Sequence, residues 1–315
     1  MSPSSTVDAK TVDAKAGVMA KPATGRATLI GISAILMWAL LAPLTALTGT
    51  LPPFQTVACA FAIGGVTGIC GTLAGGRHPL RSMRQPAGVW LLNVGGLFGF
   101  HFLYFLSLKS APAVEANLIN YMWPLFIVLF SALLPGERLR WWHIAGAVAG
   151  LAGTGLLVTK GGGFTIRTEY LAGYIAALGS ALIWTTYSLL NRRFGKVPTD
   201  AVSSFCLVTA ALALVCHLAW ETTVWPGDVI GWVALVGLGI GPVGAAFFAW
   251  DHGVKRGDIR ALGALSYASP LLSTLLLIGF GLTPGHWTVW AACGLIVGGA
   301  LLASHEVVTG RRRTA

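Results

Sequence analysis

Tyr121-Met-Trp-Pro-Leu-Phe-Ile-Val-Leu-Phe130 and Tyr267-Ala-Ser-Pro-Leu-Leu-Ser-Thr-Leu-Leu276 decide the fold. Their Tyr and Pro stand 146 residues apart, and each stretch sits within an apolar run of membrane-spanning length. At the same offset Trp38 falls on Trp184, Pro52 on Pro198, Gly95 on Gly241, Lys109 on Lys255, Trp141 on Trp287 and Gly153 on Gly299, with no gap between 38 and 299. Paired Trp, Tyr and Pro at one offset carry more weight than chance matches of Gly or Leu.

The surroundings are those of a membrane protein. Of 315 residues only 32 carry a full charge, 55% are hydrophobic and mean hydropathy is +0.73. A soluble surface cannot be covered with so few charges. Ten apolar runs follow: 27–48, 53–74, 87–107, 112–134, 141–159, 170–190, 199–220, 229–250, 260–281 and 286–304. Continuous runs, not alternation over short strands, predict helices, because the backbone must satisfy its own hydrogen bonds in lipid. The predicted fold class is therefore an all-α integral membrane protein with ten transmembrane helices. Residues 1–25 are polar and repeat Thr-Val-Asp-Ala-Lys at Thr6–Lys10 and Thr11–Lys15, so a mobile tail is expected there.

With the N-terminus in the cytoplasm, ten crossings place 18 of the 21 Lys and Arg inside and only Lys109, Lys160 and Arg167 outside. The positive-inside rule then predicts cytoplasmic termini, including the basic tail at 306–315. The net charge of +10 is an orientation signal beside anionic headgroups, and nucleic acid is not expected as a partner. The five Cys lie singly in apolar runs, with no spacing for metal or disulfide.

Each repeat, 26–160 and 161–305, holds five spans, and an odd number inserts the second copy upside down. Inverted-topology repeats around a central cavity are a transporter signature, with the substrate site near mid-membrane between the copies. No phosphate-binding loop or zinc motif is present, and His101 has no acid or Cys partner at helical spacing, so an enzyme is not expected.

Pro124-Leu-Phe-Ile-Val-Leu-Phe, Gly136-Glu137-Arg138-Leu139, Gly146 and Gly150–Gly155 resemble the EamA-type repeat of the drug/metabolite transporter superfamily. Tyr267-Ala-Ser-Pro270 with the Gly294–Gly299 run resembles the second copy, except that Thr283 stands where Glu137 stands in the first. The aromatic-rich third and fourth spans look most like the YddG-type aromatic amino acid exporters. That resemblance implies export of amino acids across the bacterial inner membrane, without a cofactor. It also implies a cavity lined by His, Tyr and Trp of those spans and a Trp of the sixth.

The residues themselves offer such a lining, since polar groups at bilayer depth turn toward the bundle interior. His101 and Tyr104 share a face of the third span; Asn117 and Tyr121 share one on the fourth, with Trp123 just after. Trp184 and Tyr187 share a face of the sixth, while Trp38 repeats Trp184 and Tyr267 repeats Tyr121. Hydroxyl, indole, amide and imidazole groups donate to a carboxylate, and ring faces hold an ammonium or stack on an apolar side chain. These nine residues are the candidate substrate site, with no metal ligands.

Drugs or quaternary ammonium ions would suit the same rings. A phosphorylated solute would need a central Lys or Arg, and every cation lies in a loop, tail or span end. Glu115 is read as pairing with Lys109, or else as an ion or proton group, and Asp251 as a loop partner of Lys255 and Arg256. Glu137 is read as bracing the membrane interface. Pro124 and Pro270 are expected to kink their spans. The Gly64/Gly68, Gly146/Gly150, Gly237/Gly241 and Gly294/Gly298 pairs are expected to let helices approach closely, in a monomer or weak homodimer.

Overall fold

A computed structural model describes residues 9–135, 139–163, 165–282 and 284–303, with side chains from residue 24 onward. Glu137, Thr283 and the 306–315 tail lie outside the described residues. Every α element among the described residues is a helix, in the order α1 (Ala9–Trp38), α2 (Leu41–Leu47), α3 (Pro53–Ala74), α4 (Pro79–Met83), α5 (Ala87–Ser110), α6 (Ala113–Asn120), α7 (Trp123–Phe130) and α8 (Trp141–Thr159), with no strand between them. The second half adds α9 (Leu171–Asn191), α10 (Val202–Trp220), α11 (Val229–Ile240), α12 (Ala246–Arg256), α13 (Ile259–Leu265), α14 (Ala268–Gly279) and α15 (Trp287–Ala303).

Among the described residues, nine helical stretches are long and apolar enough to cross a bilayer. The tenth apolar helix, α15, has 17 residues and falls short of that length. α1 begins at Ala9, within the stretch expected to be a mobile tail, although its span-like part starts only at Thr24.

Several spans are broken, and the breaks have identifiable causes. α6 stops at Asn120 and α7 resumes at Trp123; α13 stops at Leu265 and α14 resumes at Ala268. Pro124 and Pro270 stand in the first turn of the resumed helix, where a missing N–H costs nothing, so the break falls just before each proline. A π-turn over Gly241–Ala245, around Pro242, joins α11 to α12. That break was not anticipated.

Four seams hold the bundle, each joining the two halves of the chain: α1 with α12, α3 with α10, α5 with α9, and α8 with α15. Every seam is antiparallel. Along α8 and α15, Gly146 meets Gly299 and Ala303, while Gly153 meets Ala292 and Ile296. Along α1 and α12, the backbones of Gly31 and Gly253 are in contact. In lipid no hydrophobic force drives helices together, so such close backbone approach supplies the packing. Gly68, Gly146 and Gly150 do line seams, and Gly64 packs on the backbone of Gly239 and Gly244; Gly241, Gly294 and Gly298 face open space, and Gly237 only grazes Leu44. The rotation of α15 puts Gly299 in the seam instead.

Polar ties close the end of the bundle where α1 enters and α12 ends. Asp251 and Lys255 form a fully buried ion pair of 2.7 Å inside α12. Thr199 Oγ1 donates to Asp251 Oδ2 (2.8 Å), and Lys255 Nζ donates to the Val197 carbonyl (3.2 Å). Asp251 is therefore a helix-borne core group, not a loop residue; one helical turn brings it onto the face of Lys255. Arg77 pairs with Asp200 at 2.7 Å, and Arg192 donates to the Gly257 carbonyl at 2.9 Å. Asp258 caps α13 by accepting from the N–H groups of Arg260 and Ala261. Burial alone would raise its pKa; the Arg260 guanidinium and those N–H groups outweigh it and hold the carboxyl below its ordinary value.

The opposite end has its own clip. Glu221 accepts from the N–H groups of Phe54 and Gln55, at 3.1 Å each, at the start of α3. His217 Nδ1 lies 3.0 Å from Glu221, and Gln55 exchanges two hydrogen bonds with the Val224 backbone. A carboxylate at a helix N-terminus satisfies otherwise orphaned donors.

Candidate functional site

Trp38, Trp123, Trp184 and Trp250 meet at the centre of the bundle. Their ring centroids lie 5.0 to 6.3 Å apart, mostly edge to face. Phe247 packs against Trp38 at 6.1 Å and Trp184 at 5.8 Å. All five are buried. Such pairs contribute about 0.5–1.5 kcal/mol each beyond area burial. The rings fill the centre between the halves, so the expected central cavity is not a hollow chamber at this level: indoles in mutual contact leave no room for one.

Two indoles are fixed by hydrogen bonds. Trp38 Nε1 donates to the Pro242 carbonyl (3.0 Å), which the π-turn turns toward it, and Trp250 Nε1 donates to Ser188 Oγ (3.1 Å). Trp184 differs: its Nε1 is buried with no partner. An orphaned donor costs roughly 1–3 kcal/mol, and the hydroxyl of Tyr187 beside it is buried without a partner as well.

A polar recess adjoins this cage. Phe100 links the two, 5.3 Å from Trp184 and stacked on Tyr104 at 5.9 Å. His101, Tyr104, Asn117 and Tyr121 are only partly buried although they lie within the bundle, so they line an internal space. The Tyr104 hydroxyl donates to Asn117 Oδ1, which leaves the Asn117 amide N–H groups free. His101 Nδ1 lies 2.7 Å from the Leu97 carbonyl. A carbonyl only accepts, so Nδ1 carries the hydrogen, and Nε2 of the neutral ring is left as an acceptor. The edge of His101 packs on Phe61 at 5.2 Å.

The candidates therefore divide. Trp38, Trp123 and Trp184 form the cage; His101, Tyr104, Asn117 and Tyr121 form the recess; Tyr187 lies behind Trp184, 5.1 Å away, with its hydroxyl unpartnered. Tyr267 is placed elsewhere. It is fully buried, packs against Gly150 and accepts from the Leu125 N–H at 3.1 Å, next to the break in the fourth span. The expected pair of Glu115 with Lys109 does not form: Lys109 is exposed, and Glu115 Oε2 is buried without a partner. The two lie on different helices, α5 and α6, either side of Pro112. Sequence reasoning passed over Phe61, Phe100 and Phe247, and noted Trp250 as the repeat of Tyr104 without placing it in the site. The match of Trp250 with Tyr104 at the 146 offset was the available signal.

The arrangement offers donors (Asn117 amide, Tyr121 hydroxyl, Trp184 indole), acceptors (His101 Nε2, Tyr104 oxygen) and ring faces. That set matches a zwitterion with an apolar side chain. Among the described residues no Lys or Arg enters the cage, and no cluster of His, Cys, Asp or Glu could hold a metal.

Comparison with known proteins points the same way. A solved crystal structure 53% identical in sequence superposes with a TM-score of 0.85, covering 91% of this chain and 99% of its own. The aromatic amino acid exporter YddG of Ancylobacter novellus is 55% identical over 88% of this chain and 96% of that protein. The exporter of the same name from Escherichia coli is 26% identical over the same shares. The EamA-like transporter family model matches residues 25–159 and again 171–305. The chain is a multi-pass membrane protein and belongs to the EamA-like transporter family, within the drug/metabolite transporter superfamily.

Proposed function

We propose that this protein exports aromatic and other neutral amino acids across the bacterial inner membrane by alternating access, with both termini in the cytoplasm. The observation that carries the reading is the four-indole cage with a polar recess beside it, assembled from both halves of the chain. The two halves act as inverted five-helix repeats, 26–160 and 161–305, giving ten spans with α15 as the last. The double family match and the antiparallel cross-half seams support that topology. The Asp251–Lys255 ties keep the terminal-bearing end shut, so substrate in this conformation meets the site through the recess.

The amino acid's carboxylate takes the amide, hydroxyl and indole donors, its ammonium faces His101 Nε2 and the rings, and its side chain enters the aromatic layer. No catalytic chemistry and no cofactor is required. A small solute and lipid are the only partners invoked, and the unit is a monomer or weak homodimer.

Counterflow uptake of a panel of amino acids into proteoliposomes, at two pH values and with or without a membrane potential, tests this. Flux of Trp or Phe that Tyr104→Ala and Trp184→Ala each cut at least roughly tenfold is expected, the size of one lost charged hydrogen bond. Absence of amino acid flux, or flux indifferent to both substitutions, defeats the proposal. Organic cations form a second reading because Glu115 holds a buried carboxylate oxygen without a partner. Under that reading a quaternary ammonium ion is carried and Glu115→Gln abolishes its transport while sparing amino acids.

A further inference from the structure

A groove of about 510 Å³ runs between α5 and α9, open on one side and lined by Gly88, Gly95, Ile183, Tyr187, Leu190 and Phe194 among others. It follows α5 from Gly88 to Gly96 and α9 from Leu182 onward to Phe194. At 1.5 Å per residue that is about 12–18 Å, close to half of the roughly 30 Å hydrocarbon core. Both helices are spans, so what the groove meets is lipid. Its lining is almost wholly apolar, and it stays open because Gly88 and Gly95 on α5 have no side chains to fill it. A Cβ built at either glycine meets no atom within 4 Å.

Charge marks one end. Phe194 lines the groove and follows Arg193, and Gly88 lies four residues after Arg84. Both arginines are exposed, and neither has an ionic partner among the described residues. An apolar slot one leaflet deep that ends near two free guanidinium groups fits a two-part ligand, hydrocarbon below and an anionic phosphate above.

We infer that this groove is a binding site for one anionic phospholipid, with an acyl chain between α5 and α9 and its phosphate at Arg84 and Arg193. Nothing in the inference depends on what the protein transports. The floor of the groove is Tyr187, whose ring rests on Trp184, so the bound chain lies one side chain away from the cage.

The full-length protein purified in detergent is examined by native mass spectrometry and by thermal unfolding, each against added phosphatidylglycerol or phosphatidylcholine. The wild type is expected to retain one phosphatidylglycerol and to unfold at a higher temperature in its presence. Gly95→Leu, which grows into open space and keeps the fold, loses the retained lipid and the thermal response while unfolding normally without lipid. Arg84→Gln and Arg193→Gln each lower the preference for phosphatidylglycerol over phosphatidylcholine, by roughly fivefold per arginine. A Gly95→Leu protein that still holds phosphatidylglycerol like the wild type overturns the site. So does a lipid-free pair of chains that Gly95→Leu separates, which would assign the groove to a second copy. Equal preference for the two lipids in the wild type overturns the headgroup assignment.

Discussion

Trp184 and Trp250 stand on neighbouring helices with rings 6.2 Å apart, yet their indole N–H groups are treated oppositely. Trp250 spends its donor on Ser188; Trp184 keeps its donor unused. Trp184→Phe removes a hydrogen-bond donor that the resting protein never satisfies, so unfolding temperature should change by only a few degrees. The KM for amino acid should rise roughly tenfold or more, as expected for a hydrogen bond to a charged group. Trp250→Phe should instead lower the unfolding temperature, because it leaves the buried Ser188 hydroxyl without its donor at a cost of about 1–3 kcal/mol, and its effect on KM should be the smaller of the two. Parallel transport kinetics and thermal melts of the two variants decide it; if both parameters move together in both proteins, the orphaned donor has no special role. The pairing of Trp38 with Trp184 was readable as identical residues at one offset, and their rings meet at 5.6 Å. The difference between Trp184 and Trp250 was not, because a donor's partner depends on rotamer and on a helix 62 residues away.

At the scale of the element, nine of the ten expected spans were legible among the described residues because length and apolarity alone fix them, and the two breaks were legible because proline removes a donor. Which glycine faces a seam was not legible, since G-x-x-x-G spacing gives a stripe without saying what lies opposite it. The structure separates the two cases. A Cβ at Gly146 would stand 2.4 Å from the Gly299 carbonyl oxygen, whereas one at Gly298 meets nothing within 4 Å. Gly146→Ala should therefore destabilise the protein by about 1–3 kcal/mol through overpacking. Gly298→Ala should be neutral or slightly stabilising, as for any helix-interior glycine replaced without a clash. Unfolding in detergent measures both; equal effects would mean the α8–α15 seam is looser than drawn. The Glu221 clip was equally invisible, because its partners Phe54 and Gln55 lie 167 and 166 residues away in sequence.

For the molecule as a whole, the two ends are tied by different means. One end carries the buried Asp251–Lys255 pair, and a single substitution there leaves an unpaired charge in a low-dielectric setting. Asp251→Asn or Lys255→Met alone should cost about 3–5 kcal/mol, while the double variant should recover most of that loss. Because the pair ties α12 to Val197 and Thr199, the double variant should also open this end more often. In a background with the other four cysteines replaced, alkylation of the fully buried Cys206 by a polar maleimide should then speed up. An unchanged rate would separate the pair from gating. The pair was misread as a loop contact because four-residue spacing near a helix end looks alike in solvent and in a core. The cage has a further consequence of its own. Of the twelve tryptophans, these four are buried in mutual contact, and Trp141, Trp225, Trp287 and Trp290 are largely exposed at the bundle's periphery. Excitation energy will pass freely among indoles so close together, so any solute that wedges them apart must alter the protein's intrinsic ultraviolet emission. The molecule thereby carries a label-free optical reporter of its own occupancy.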